Sequence, residues 1–374
     1  MKNNSHAQKL RLVNVYSTSN IGDAAIYASF SKMAKTFDVY WPDNQTELQQ
    51  HLADAVLPLH HKTNMDVNLS VGGDIFNNAR EGFITKTFIH NLRQLLQDSN
   101  HTGLFGQSIP RSCHGLSFKL LSMTLKRLAA VTVRDVESHE RLLKAGVNAK
   151  LSYDAVLSLT PQDNWLFETR ASLLEAGHEP EKMALLSLRP FDKMYRYNTA
   201  DCLKMLTKLC QQFEYYGYHP TVLHHAQVDL RDGDAQMIAT LKQSIPALKV
   251  IDPFTTQTSL LPWQYGFAVT AIAELVVGIR YHTSIFRMAA GKMPYNLYYS
   301  NKGEDLCRRL KVPGCAINEF KPGVNIEKVL ETADLTFDAS HYAECVRQDF
   351  QATLNAATGS AADLIIKESD PCEI

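Results

Sequence analysis

The sequence predicts an α/β protein of two Rossmann-like domains facing each other across a cleft, with mainly parallel sheets. Three observations carry that expectation. A chain of 374 residues is too long for one ordinary hydrophobic core. Short apolar strands alternate with helical patterns and few hairpin signals intervene, as in parallel strands joined by helical crossovers. The alternation also runs twice, interrupted at 160–182 by a polar stretch with Pro161, Pro180 and a connecting helix. The expected domains are 1–165 and 180–320, followed by a helical, amphipathic tail at 321–374 placed to pack back on the domain junction.

In the first unit, residues 12–16 form an apolar strand, and the loop Ser17-Thr18-Ser19-Asn20-Ile21-Gly22 leads to Asp23 and a helix reaching Lys35. A second strand, 67–71, ends on Gly72-Gly73-Asp74. The helix expected over 85–97 sets Phe88, Leu92, Leu95 and Leu96 at helical spacing. A short strand at 104–105 closes on Gly106-Gln107-Ser108-Ile109-Pro110. Strand 131–133 ends at Arg134 and Asp135, where Asp135 is placed to cap the helix to Lys144 and Gly146 to stop it. Residues 151–159 complete the unit.

The second unit has strands at 184–188, 221–224, 248–251, 275–279 and 295–299, with helices at 200–214, 233–244, 262–273 and 284–290. These strands end at Arg189, at His224 and His225, at Asp252, at Arg280 with His282, and at Asn301 with Lys302. Ligands of open α/β sheets bind at the carboxyl ends of strands, so five ionisable strand ends on one rim favour a small multivalent anion. The richest segment is 278–302. There an apolar strand ends at Arg280 and His282, and Thr283 and Ser284 offer N-cap hydroxyls to a short helix that Gly291 and Pro294 terminate. The N–H groups and dipole of a helix start favour an anion, an arginine adds a bidentate fork, and a histidine exchanges protons near neutral pH.

Composition narrows the function further. Hydrophobic residues at 45% and charged residues at 21% are those of a soluble globular protein. A net charge of −1 gives no global field toward nucleic acid or acidic lipid. No apolar run reaches the roughly 20 residues of a membrane-spanning helix, and the polar segment 1–11 lacks the apolar region of a signal peptide. Seven scattered cysteines without a CxxC pair indicate free thiols in a reducing cytoplasm, the expected location. No ligand spacing supports a metal.

Together the motifs resemble the polysaccharide pyruvyl transferase family. The matching pieces run in that family's order. They are Asn20-Ile21-Gly22-Asp23, Gly72-Gly73-Asp74-Ile75-Phe76, Gly106-Gln107-Ser108-Ile109-Pro110, Val133-Arg134-Asp135 with Ser138, Asp154, the stretch from Gly278 through Arg280 and His282 to Ile285, and Tyr299-Ser300-Asn301-Lys302. The chain departs from the family at Val71 (often a third glycine), at Ile109 (often glycine) and at Ala155 (usually proline after the aspartate). The resemblance implies a GT-B-like fold with an acceptor side in the first domain and a donor side in the second. It also implies transfer of a pyruvyl group from phosphoenolpyruvate to sugar hydroxyls, giving a ketal or enolpyruvyl ether during exopolysaccharide or cell-surface glycan synthesis, with no cofactor. The partners implied are phosphoenolpyruvate and a sugar or lipid-linked oligosaccharide, not nucleic acid. Association with membrane-bound glycan machinery and self-assembly both stay open.

Each candidate has a structural alternative. Arg280 is the phosphate or carboxylate fork, or else an ion pair locking the strand end to a helix. His282 is the general acid, or else a histidine hydrogen-bonded to backbone at a helix start. Arg189 or Arg134 is the second anchor, with Lys302 beside it, although Arg134 and Asp135 also read as a structural pair and a helix cap. Strand alternation sends one of His224 and His225 to the rim and one to the core, and His225 is the one assigned to substrate. Asp23 contacts an acceptor hydroxyl or acts as base, or else complements the helix dipole. Asn20, Gly22, Gly73 and Asp74 complete the expected binding set. A nucleotide-sugar glycosyltransferase, with Asp252 as its ribose contact, and a non-catalytic glycan-binding relative are the competing readings.

Overall fold

The computed structural model describes residues 7–15, 18–41, 57–58, 64–76, 84–189, 198–227 and 234–359. The expected strand end at Tyr16, the loop residue Ser17, the helix start at 233 and the tail beyond 359 lie outside these residues. The chain forms two compact units. One comprises Met1–Tyr16, Ile26–Ser158 and His341–Ile374, and the other Ser17–Ala25 and Leu159–Ser340. The loop Asn20-Ile21-Gly22-Asp23 thus belongs with the second unit, and the end of the chain with the first.

The first unit holds a seven-stranded, all-parallel sheet in the order β3-β2-β1-β4-β5-β6-β7. The strands are β1 Gln8–Val13, β2 Phe37–Trp41, β3 Leu57–Pro58, β4 Val67–Ser70, β5 Thr102–Gln107, β6 Ala130–Val133 and β7 Lys150–Leu151. β4 and β5 are buried along their whole length, and their polar positions Asn68, Ser70, Thr102 and Gln107 are buried with them. The terminal helix Ala339–Thr358 seals this sheet. Phe350 meets Phe30 and Phe105 with ring centroids 5.5 and 5.4 Å away. Thr353 and Thr132 share a buried hydroxyl hydrogen bond of 3.0 Å, and Lys150 pairs with Asp349 at 2.6 Å.

The second unit is a six-stranded parallel sheet in the order β10-β9-β8-β11-β12-β13. Its strands are β8 Met183–Ser187, β9 His219–Leu223, β10 Lys249–Ile251, β11 Leu275–Gly278, β12 Tyr295–Tyr298 and β13 Gly314–Ala316. From β8 the chain winds outward through β9 to β10, then returns to lay β11 on the other side of β8. This reversal makes a crevice at the carboxyl ends of β8 and β11 the expected ligand position. The predicted alternation holds, but β2, β3 and β13 escape the sequence reading, β3 and β13 because they are only two and three residues long. The helix Gly115–Leu125 also escapes it.

Cys113, Cys202, Cys210, Cys307 and Cys315 are free thiols, while Cys345 is disulfide-bonded, contrary to the expectation of free cysteines throughout. Among the described residues no helix is long and apolar enough to cross a membrane.

Phe350→Ala leaves a cavity beside the rings of Phe30 and Phe105 under the first sheet. Urea unfolding should show a loss of about 3–5 kcal/mol.

Candidate active site

The crevice of the second unit is assembled by hydrogen bonds that latch strand ends to one another. Ser187 Oγ, at the end of β8, accepts from the backbone N–H of Ile279 at 3.1 Å and of Arg280 at 3.0 Å. Arg280 is the N-cap residue of the helix Tyr281–Ala289. Thr283 and Ser284 therefore lie inside the first turn and do not cap it, because the helix starts one turn earlier than their hydroxyls suggest. Ser284 Oγ donates instead to Asn296 Oδ1 at 3.0 Å, and Asn296 Nδ2 donates to Gly303 O at 2.9 Å. A Cβ at Gly278 would lie 2.1 Å from Ser284 Oγ, so this turn demands glycine.

The Arg280 guanidinium is buried, at 4% exposure. Its Nε donates to Leu188 O at 2.7 Å and to Asp234 Oδ1 at 3.1 Å, and its Nη2 also meets Asp234 Oδ1. Asp234 is wholly buried, and its Oδ2 accepts from the N–H of His225 at 2.8 Å and of Ala226 at 3.2 Å. The structural alternative for Arg280 is thus present, as an ion pair that gathers the ends of β8, β9 and β11. Asp234 went unnoticed in the sequence, where its only signal was an aspartate opening the helix Ala235–Ser244.

The Asn20 loop closes on these strand ends. Ile21 N–H donates to His225 O at 3.1 Å, Gln227 N–H donates to Ser19 O at 2.9 Å, and Asn20 bridges Ala226. Asn20 Oδ1 accepts the Gly22 N–H at 3.0 Å and Asn20 O accepts from Ala24 at 3.0 Å, so Asn20 starts the helix Ile21–Met33. Gly22 presses on the His282 ring, and a Cβ there would lie 2.2 Å from His282 Nδ1. Asp23 follows in the first turn, half-buried.

The other cations arrive on tyrosines. Arg189 Nη1 donates to Tyr299 Oη at 2.9 Å, and its guanidinium lies 5.3 Å from that ring's centroid. Lys302 Nζ sits 5.2 Å from the Tyr281 ring, which packs edge-on against His282 at 5.4 Å. The structure therefore places Arg189, His225, Arg280, His282, Lys302, Asn20, Gly22 and Asp23 in one unit.

The two neighbouring histidines that follow β9 behave oppositely. His224 pairs with Asp252 at 3.3 Å, and this hydrogen bond, against the opposing effect of burial, raises its pKa. Asp252, the candidate ribose contact, is engaged in that pair. His225 is 1% exposed and stacks on Phe286 at 6.2 Å. Neither of its ring nitrogens has a hydrogen-bond partner among the described residues. Burial foremost, then the nearby Arg280, His282 and His224, hold its pKa well below the ordinary histidine value, so the ring is neutral.

Gly73 and Asp74 belong to the first unit and join a different cluster. Gly72, at φ +122°, turns the chain out of β4. Arg134 is buried there. It donates from Nε to Ser108 Oγ at 2.9 Å, from Nη1 to Asp154 Oδ2 at 2.6 Å and from Nη2 to Asp74 Oδ1 at 3.4 Å. Asp135 caps the helix Val136–Lys144 through the Ser138 N–H at 2.9 Å, as expected, and Arg134 pairs with Asp154 and Asp74. Among the described residues no group of three or more His, Cys, Asp or Glu is placed to hold a metal ion.

Two outcomes follow from this geometry. Asp234→Ala leaves the buried Arg280 charge uncompensated and should cost about 3–5 kcal/mol in denaturant unfolding. His225, with a depressed folded pKa, contributes stability that is complete above the unfolded value near 6.5 and is lost as pH falls, since only the unfolded chain then takes up its proton. The His224 contribution has the opposite sense, being complete below pH 6.5 and fading as pH rises through its raised value. His225→Phe should remove up to about 1.4 kcal/mol per pH unit of slope from the acid limb of a stability profile.

Solved structures share this architecture. The UDP-GlcNAc 2-epimerase of Methanocaldococcus jannaschii superposes with a TM-score of 0.57 at 10% identity, covering 92% of this chain and 99% of its own. A glycosyltransferase from Rickettsia africae gives 0.54 at 8% identity, over 94% and 96%. Anabaena HepE in complex with UDP gives 0.51 at 12% identity, over 94% and 96%. At such identities the likeness shows the fold alone, the two-domain α/β fold of GT-B glycosyltransferases and epimerases. No curated protein matches the chain in sequence. The family model described as polysaccharide pyruvyl transferase matches residues 14–301, a span that contains Arg134 and Arg280, the Asn20 loop and the strand ends on which His282 and Lys302's neighbour Asn301 lie. The chain is a member of the polysaccharide pyruvyl transferase family.

Proposed function

We propose that the protein transfers the pyruvyl group of phosphoenolpyruvate to sugar hydroxyls, forming a pyruvate ketal on a sugar or lipid-linked oligosaccharide of an exopolysaccharide or cell-surface glycan. The observation that carries this reading is the convergence of Arg189, Arg280 and Lys302 with His282 at the β8/β11 crevice of a family member. A phosphate and a carboxylate on neighbouring atoms want several fixed cations, and their donor directions are set here by Leu188, Asp234 and two tyrosines. His282, braced by Gly22, gives a proton to the methylene carbon of phosphoenolpyruvate. The adjoining carbon then becomes an oxocarbenium-like electrophile. One sugar hydroxyl adds to it, yielding its proton to Asp23, one turn along from Asn20. The bond to the phosphate oxygen breaks, a second hydroxyl closes the ring, and the proton of that hydroxyl leaves with phosphate.

The test is acceptor-dependent phosphate release from phosphoenolpyruvate. His282→Ala should lower kcat about 10²–10⁴-fold with the fold intact by circular dichroism. Arg189→Ala should raise the KM for phosphoenolpyruvate about 10–100-fold, as expected for one lost charge-assisted hydrogen bond. Release of UDP from a UDP-sugar, with phosphoenolpyruvate inert, would overturn the reading.

A further inference from the structure

We propose that the helix Gly115–Leu125 of the first unit docks the protein on an anionic lipid surface. Leu116 is 64% exposed and Met123 is 56% exposed, while Leu120 between them is partly buried and packs against the core. Positions 116, 120 and 123 share one face of a helix. The opposite side is fixed, since Leu121 and Leu125 enter the core with Phe88 and Leu92 of the helix Lys86–Leu96. The outward apolar face is therefore not a loosely packed core face. It is presented by a helix already anchored from behind.

Charge completes the argument. From Ile84 to Arg134 the only acidic residue is Asp98, which is hydrogen-bonded to His101 at 3.1 Å. Over the same span Lys86, Arg93, Lys119, Lys126 and Arg127 are exposed. The nearest acids beyond it on the following helix, Glu137 and Glu140, have cations of their own in Arg111 at 2.6 Å and Lys144 at 3.7 Å. In a chain whose net charge is −1, the stretch of sequence carrying the two exposed apolar side chains is thus nearly free of acids and rich in exposed bases. Apolar side chains entering the headgroup boundary with lysines and arginines beside them is the pattern of an interfacial helix. A nucleic acid would use the cations but leave Leu116 and Met123 idle. The helix also offers no exposed ring for base stacking, because Phe118 lies under Arg141, whose guanidinium is 4.6 Å from its centroid.

The experiment is co-sedimentation of the full chain with phosphatidylcholine vesicles, either pure or containing about a third phosphatidylserine. The protein should pellet with the anionic vesicles alone, and binding should weaken as salt rises. Leu116→Ser with Met123→Ser, and separately Lys119→Glu with Lys126→Glu, should each lower the partition coefficient at least about tenfold. All four positions are exposed, so circular dichroism should match the parent. Equal binding to both vesicle types, no binding to either, or retention of full binding by the apolar double variant would overturn the proposal. So would binding of RNA by the parent and by the apolar variant alike without vesicle binding. None of these readouts depends on phosphoenolpyruvate turnover, so the proposal stands or falls apart from the assigned reaction.

Discussion

The second unit depends on one buried carboxylate. Asp234 holds the Arg280 guanidinium with one oxygen and the backbone of His225 and Ala226 with the other. Without it three strand ends lose their common tie, and a cation is left in an apolar interior. A buried ion pair is weak as a source of net stability, but breaking it is costly, and that asymmetry fixes geometry. The N–H groups that Asp234 takes up are those of the residues against which the Asn20 loop pairs. The same aspartate therefore sets where Gly22 comes to rest, and through Gly22 the orientation of the His282 ring.

Ion pairing and ligand binding are not exclusive roles for Arg280. A planar guanidinium has five N–H donors in a rigid fork, and orienting part of that fork on Asp234 and Leu188 O restricts where the remainder can aim. Arg189 and Lys302 are steered differently, by the faces and hydroxyl of Tyr299 and the ring of Tyr281. Arg134 in the first unit shows the limiting case. Its donors are directed to Ser108, Asp154 and Asp74, three motif residues brought from three loops onto one side chain.

Much of this was legible from the chain. The doubled alternation of strand and helix gave the two sheets, and the apolar segments at 67–71, 184–188 and 275–279 marked central strands because both their faces are covered. The segment from Gly278 to Lys302 stood out because strand end, helix start and cations are neighbours in sequence. Asp234 did not, since its meaning comes from Arg280, 46 positions away. The helix start at Tyr281 was misplaced for a related reason. Thr283 and Ser284 look like caps by composition, while Ser284 is claimed by Asn296 on the next strand. The allotment of Ser17–Ala25 to the second unit is equally invisible locally, because it rests on pairing with residues 225–227.

That allotment bears on how such a protein is divided. The wall against the His282 ring is a glycine some 260 positions earlier in the chain, on a segment that leaves the second unit at once to continue into the first. An excised piece running from Leu159 to Ser340 would contain the whole six-stranded sheet, yet its histidine would lack that backing. The first unit would in turn lose the helix carrying Phe350 if the chain were cut after Ser158. The chain passes between the two units four times, so they are not modular cassettes, and recombining them with halves of related proteins would have to exchange four crossover points at once.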